Sequence, residues 1–212
     1  MTDTAHLITA FVTLFVVIDP IALVPLFIAL TRGASNPRRR RIALRACLMA
    51  IFLLTLFGLF GDAVLNFIGI SMPAFRIAGG ILLFLTALDM LFERRTKRRE
   101  GQAKEAEDDI DHDDPSVFPL GVPLIAGPGA MATMVLLAGA PGTTWAQSLE
   151  IHIIMVIVVG TTFVCLLGAG LMERALGPVG INVVTRLLGM LLAALSVQFV
   201  LDGLRTFGMT LL

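Results

Sequence analysis

The residues of this chain with chemical potential are few, and they lie where apolar residues dominate. Asp19 sits in IDPIALVPLF, Ile18 to Phe27, beside Pro20 and ahead of Pro25. Gly127, Pro128 and Gly129 form a second motif in VPLIAGPGAMAT, followed by Ala130 and Thr133. Proline lacks an N–H and clashes with the preceding turn, so it interrupts a helix. It is tolerated at the first helical position, directly after a cap such as aspartate. Asp19-Pro20 and Gly127-Pro128-Gly129 therefore read as the starts of two half-helices, with Pro25 kinking the turn that follows the first. The N–H groups of Ile21, Ala22 and Leu23, and of Gly129, Ala130 and Met131, need partners outside the regular helix ladder. They cannot face lipid, so they are bonded locally or line a cavity. Two positive helix ends meeting in the middle of a membrane suit a carboxylate. Gly127 and Gly129 leave room for close approach, and the Thr133 hydroxyl follows one turn on.

Asp19 admits two roles. It caps its own half-helix, or it is a functional charge that meets an ammonium group or carries a proton. A kink suffices to explain one proline-bearing span; two related spans favour a binding site. Gly129→Val should then abolish activity, with the same change at Gly139 milder. Intramembrane hydrolysis would need serine with histidine, or paired metal ligands, inside the apolar runs. His152 is the only histidine in such a run, and no partner is evident for it. His112 with Asp111, Asp113 and Asp114 lacks the spacing of a metal site. No catalytic residue, metal or cofactor is assigned, and the chain is read as no enzyme.

These residues need a membrane to give them meaning. Of 212 residues, 57% are hydrophobic and 15% charged, with a mean hydropathy of +0.90. Soluble domains are about a quarter charged, so the composition indicates an integral membrane protein. Net charge is zero, and nothing points to nucleic acid. Six runs meet the roughly 20 apolar residues that a bilayer core demands: 7–30, 46–70, 72–92, 117–139, 149–172 and 182–204. Asp19 is twelve residues from Leu7 and eleven from Leu30, roughly 17 Å from either end of its run at 1.5 Å per residue. A carboxylate at that depth is costly and marks a pathway or a paired site. The short GISMP segment makes the second and third runs a tight hairpin. The first run is too long for a cleaved leader, and Met1 to His6 holds no Lys or Arg. Cys47 and Cys165 fall in apolar runs and give no disulfide framework.

Orientation follows from the basic residues. If the N-terminus is outside, the loop around NPRRRRIALR, the loop ERRTKRRE and the turn after the fifth run are all inside. Of the 16 Lys and Arg, only Arg76 and Arg205 are then left outside. Both termini are expected on the periplasmic face of a bacterial inner membrane. The segment 93–116 turns from basic to acidic and reads as a charged, solvated cytoplasmic linker.

The two halves match. DPIA at 19–22 aligns with GPGA at 127–130, GIS at 69–71 with GIN at 180–182, and RIAGGILLFLTAL from Arg76 with RLLGMLLAALSVQ from Arg186. The order is the same and the offset nearly constant. Each unit holds three spans, 1–92 and 117–212, so the second enters the membrane from the opposite side. The expected fold is an all-α membrane protein of six transmembrane helices, built as two inverted three-helix repeats with interrupted first and fourth helices. Secondary transporters use this arrangement.

IDPIALVPLFIALT, GISMPAFRIAGGILLFLTALDML and VPLIAGPGAMAT together resemble the MarC family of bacterial and archaeal inner-membrane proteins. The likeness covers essentially all six spans. It implies a relative of small neutral amino acid transporters, of the glycine and alanine type, grouped with LysE-like exporters. Substrate would be held at the breaks of spans one and four: Asp19, Pro20, Ile21 and Ala22, with Gly127, Pro128, Gly129, Ala130 and Thr133. Where the family often has DPIG or DPIGN, this chain has DPIAL. The Ala22 methyl narrows such a site, and Leu23 removes an amide contact. The expected partners are a zwitterionic amino acid, the lipid bilayer, and a proton or sodium ion for coupling. The alternative reading is a lipid or small-metabolite exporter, or a structural subunit without amino acid transport.

Overall fold

A computed structural model describes residues 4–94, 99, 101, 114–139 and 143–209. Most of the charged linker, with Asp111, His112 and Asp113, and Gly142 lie outside the described residues. The described part is helical, with no strand among the described residues: α1 Thr4–Ile18, α2 Pro20–Leu30, α3 Asn36–Ile68, α4 Met72–Leu91, α5 Ser116–Ile125, α6 Pro128–Ala138, α7 Trp145–Leu167 and α8 Ala169–Met209. Five stretches are long and apolar enough to cross a membrane, α1 and α2 counting as one. The α5–α6 pair makes a sixth when its two arms, bent by 57°, are counted together.

Local chemistry explains the boundaries. Pro20 opens α2 behind Asp19, and Pro128 opens α6 behind Gly127. Gly69 ends α3 with φ +81°, and the Ile70 N–H returns to the Leu65 carbonyl at 2.9 Å. That 6→1 bond is a Schellman closure. Ser71 then accepts the Ala74 N–H to start α4, so the expected hairpin forms within a few residues. Two stretches differ from the sequence reading. NPRRRRIALR is not a loop; it forms the first turns of α3, starting at Asn36. The turn expected after the fifth span narrows to a break at Gly177 and Pro178, with helix on either side of it in α8. Arginine, alanine and leucine in the first stretch are good helix formers, and arginine in a helix reaching beyond the lipid stays hydrated.

The broken spans are central. Two thirds of the first span, 67%, is buried inside the protein, against 22–39% for α3, α4, α7 and α8. The outer helices turn Phe52, Phe67, Leu171 and Leu187 outward, as lipid-facing surfaces do. α3 packs on α5, α6 and α7; α7 also packs on α1 and α2; α4 runs along α8. The α4–α8 contact is close because glycines line it. A Cβ at Gly80 would lie 2.8 Å from the Ser196 carbonyl, and one at Gly203 would lie 3.1 Å from that of Pro73. Small residues at such crossings let backbones approach and gain dispersion contact where lipid offers no hydrophobic drive. Four hydroxyls in the spans are turned onto their own helices: Thr13, Thr86, Thr133 and Thr162 each donate to the carbonyl four residues back.

Candidate binding site

The first break is built around Asp19. Its backbone is left-handed, φ 56° and ψ 68°, a conformation that Asn and Asp tolerate better than other non-glycine residues. The side chain is fully buried. Oδ1 accepts the Ala22 N–H at 3.3 Å, and the Asp19 carbonyl accepts the Leu23 N–H at 3.3 Å. The expected cap is therefore present. Oδ2 is buried and no described residue bonds it. Two of the three amides expected to be open at this helix start are consumed locally, so the N-terminus of α2 is largely closed by its own aspartate.

The second break is built differently. α5 leads into it as a wide-turned segment: the Leu120 N–H reaches the Pro115 carbonyl at 3.2 Å, and the Ala126 N–H reaches that of Gly121 at 2.9 Å. These i→i+5 bonds arise in a stretch with Pro119 and Pro123 and with extended backbone at Phe118 and Val122. Ala126 and Gly127 then separate α5 from α6. Gly127 occupies the cap position and has no side chain to fill it. Glycine is required there by space, since a Cβ would lie 2.6 Å from the Pro123 carbonyl oxygen. The Met131 N–H is satisfied by the Gly127 carbonyl at 3.0 Å. Gly129 and Ala130 open the helix onto a cavity.

That cavity has a volume of about 120 Å³ and is lined by Val17, Thr86, Asp89, Arg99, Leu124 and the whole Gly127–Ala130 turn, among others. It brings together four of the sequence-predicted residues, Gly127, Pro128, Gly129 and Ala130. Asp19, Pro20, Ile21 and Ala22 lie outside its lining. Thr133 is fully buried and donates to the Gly129 carbonyl at 2.8 Å, so its hydroxyl turns to its own helix rather than to the cavity. Three polar residues of the lining were not anticipated: Thr86 and Asp89 on α4, and Arg99. Arg99 is only 6% exposed. Its Nη2 donates to the Ile18 carbonyl at 3.2 Å and is 3.4 Å from that of Leu124. The expectation of a wholly solvated linker fails at this residue. Asp89 is three positions after Thr86, a spacing that places the two on one helix face, which was a usable signal.

The site has positive donors at the start of α6 and the guanidinium of Arg99, with one carboxylate, Asp89, in the same lining. Drug-sized ligands occupy pockets of about 300–1,000 Å³. A cavity of about 120 Å³ suits a molecule of a few non-hydrogen atoms.

A family model described as "MarC family integral membrane protein" matches residues 4–207. The chain is similar to a "UPF0056 membrane protein" of Aquifex aeolicus, 39% identical over 93% of this chain and 92% of the relative. It is 34% identical to the "UPF0056 membrane protein YvbG" of Bacillus subtilis over 95% of both chains. It is 33% identical to the "UPF0056 inner membrane protein YhgN" of Escherichia coli, over 94% of this chain and 96% of the relative. No solved structure matches.

Proposed function

The chain belongs to the MarC family of integral membrane proteins, and on that premise we propose that it is a secondary transporter of small neutral amino acids, of the glycine and alanine type. The observation that carries this reading is the uncapped start of α6 opening onto a small cavity. At the matching position of the first half, Asp19 supplies a carboxylate to the start of α2. At Gly127 the cap residue has no side chain, and no described side chain caps the helix. A substrate carboxylate at Gly129 and Ala130 would take the place that Asp19 takes in the other half. Anions are favoured at helix N-termini by roughly 0.3–1 kcal/mol when exposed and up to ~2 kcal/mol when partly buried.

Two inverted repeats of three spans underlie the proposed mechanism, with substrate near the midplane where the broken helices meet. The packing pattern supports this. Exchanging α1–α2 with α5–α6, α3 with α7 and α4 with α8 maps the α3 contacts with α5 and α6 onto the α7 contacts with α1 and α2. It also maps α2 against α8 onto α6 against α4, and α4 against α8 onto itself. Alternating access would then be a rocking of one repeat against the other. The reading assigns no chemical step to the protein.

Labelled glycine is expected to accumulate in proteoliposomes when a proton or sodium gradient is imposed, and to exchange without one. A protein that handles lipid instead would bind no free glycine in either experiment. The cavity volume favours the amino acid.

The distribution of basic residues supports an orientation with both termini in the periplasm. A reporter active only there should work when fused at residue 212 or near Gly142, and should fail near Gly101. Activity at Gly101 would reverse the orientation and leave the span count standing.

A further inference from the structure

Arg99 ties together the two broken spans at the ends of their first segments. Ile18 is the last residue of α1, and Leu124 stands at the end of α5. In an unbroken helix the Ile18 carbonyl would accept the Ala22 N–H; here that N–H goes to Asp19 Oδ1. In an unbroken helix the Leu124 carbonyl would accept from residue 128, and Pro128 has no N–H. The same motif residues that start the second half-helices thus free one carbonyl at the end of each first half. Ile18 stands at the negative end of the α1 dipole, where cations are favoured, and Leu124 lies in the short turn that follows the extended backbone at Val122. Carbonyls at membrane depth need donors, and one guanidinium nitrogen lies within reach of both.

We propose that the carbonyls of Ile18 and Leu124 form a cation subsite, filled by Arg99 as a tethered occupant, which the ammonium group of a substrate takes over by displacing the guanidinium. Leu124 and Arg99 line the same cavity as Gly129 and Ala130. An ammonium at the carbonyls and a carboxylate at the start of α6 therefore share one small space, as the two groups of an α-amino acid require. The inference rests on the transport reading for the identity of the displacing ligand. The subsite itself rests on the two freed carbonyls.

The purified protein in detergent separates the two. Arg99→Ala should lower the thermal midpoint, because two buried carbonyls lose their donor. Millimolar guanidinium ion, far below denaturing levels, should restore it by several degrees, since a ligand that binds only the folded state stabilises it. Tetramethylammonium has no N–H and should not. The unaltered protein should respond to neither. Arg99→Lys keeps a donor in place and should show little guanidinium response; it also serves if the alanine variant folds poorly. With the tethered competitor removed, labelled glycine should bind Arg99→Ala about tenfold more tightly than it binds the unaltered protein. Selective guanidinium rescue with no glycine binding to either protein would keep the subsite and sink the amino acid reading. Equal glycine binding to both proteins, with no guanidinium response in Arg99→Ala, would overturn the subsite and spare the transport reading.

Discussion

Gly129→Val is expected to reduce glycine uptake to background while expression, membrane insertion and thermal stability stay near normal. A Cβ at Gly129 would meet Val17 Cγ1 at 3.3 Å, Leu83 Cδ2 at 3.7 Å and Thr86 Oγ1 at 4.0 Å. All are side-chain atoms that can yield by a few tenths of an ångström, so the helix tolerates a side chain there. The cavity does not, because the added methyls enter a space of about 120 Å³ and cover the amides at the start of α6. Gly129→Ala should give an intermediate loss. Gly127→Ala should behave in the opposite way. Its Cβ would press on the Pro123 carbonyl at 2.6 Å, and overpacking of that kind costs roughly 1–3 kcal/mol, so the thermal midpoint itself should fall. Gly139, expected from sequence to be the milder position, is not a clean control: a Cβ there would lie 2.7 Å from the Val135 carbonyl and 3.3 Å from Asp62 Cβ. Uptake by Gly129→Val at the normal rate, measured beside a normal thermal midpoint, would mean that the Gly127–Gly129 break is a kink and not a site.

The spans and their breaks were legible because proline, glycine and capping residues act locally. Asp19-Pro20 announces a helix start whatever packs around it, and so does Gly127-Pro128. Gly69 and Ser71 announce the hairpin for the same reason. What was not legible depends on partners distant in sequence. Arg99 lies in a run of basic residues that any composition rule assigns to water. Its burial follows from two carbonyls that are far from it in the chain and are freed by the breaks themselves. Thr133 was placed at the site by its spacing from Pro128, yet its hydroxyl is taken by the Gly129 carbonyl, a bond that threonine in a helix makes readily. The wide turns of α5 were also hidden. Pro119 and Pro123 show that a regular helix cannot run there, but not which bonding pattern replaces it. The two halves look alike in sequence and differ in how they close their helix starts. One has an aspartate at the cap position, and the other has a glycine there.

That difference gives Asp19→Asn its weight. Asparagine is about as good a cap as aspartate and tolerates the left-handed backbone at φ 56°. The variant should therefore fold, insert and keep the Ala22 N–H bonded. Asp19→Ala should not, because it loses a cap contribution of typically ~1 kcal/mol and places a Cβ residue without polar compensation in a left-handed conformation that costs roughly 1–2 kcal/mol. What asparagine cannot supply is a titratable oxygen. Oδ2 of Asp19 is buried and no described residue bonds it. A bare carboxylate oxygen in apolar surroundings is expensive, so capping alone does not account for aspartate where asparagine would serve. Gradient-driven accumulation of glycine by Asp19→Asn is expected to fall more than about tenfold, a change of about 1.4 kcal/mol. Exchange of glycine across the membrane without a gradient tells the two functional roles apart. A proton-carrying role spares exchange and loses only accumulation, whereas a charge that favours the substrate ammonium held beyond it in the neighbouring cavity loses both. Accumulation by Asp19→Asn at the level of the unaltered protein would leave Asp19 as the cap of α2 and nothing more.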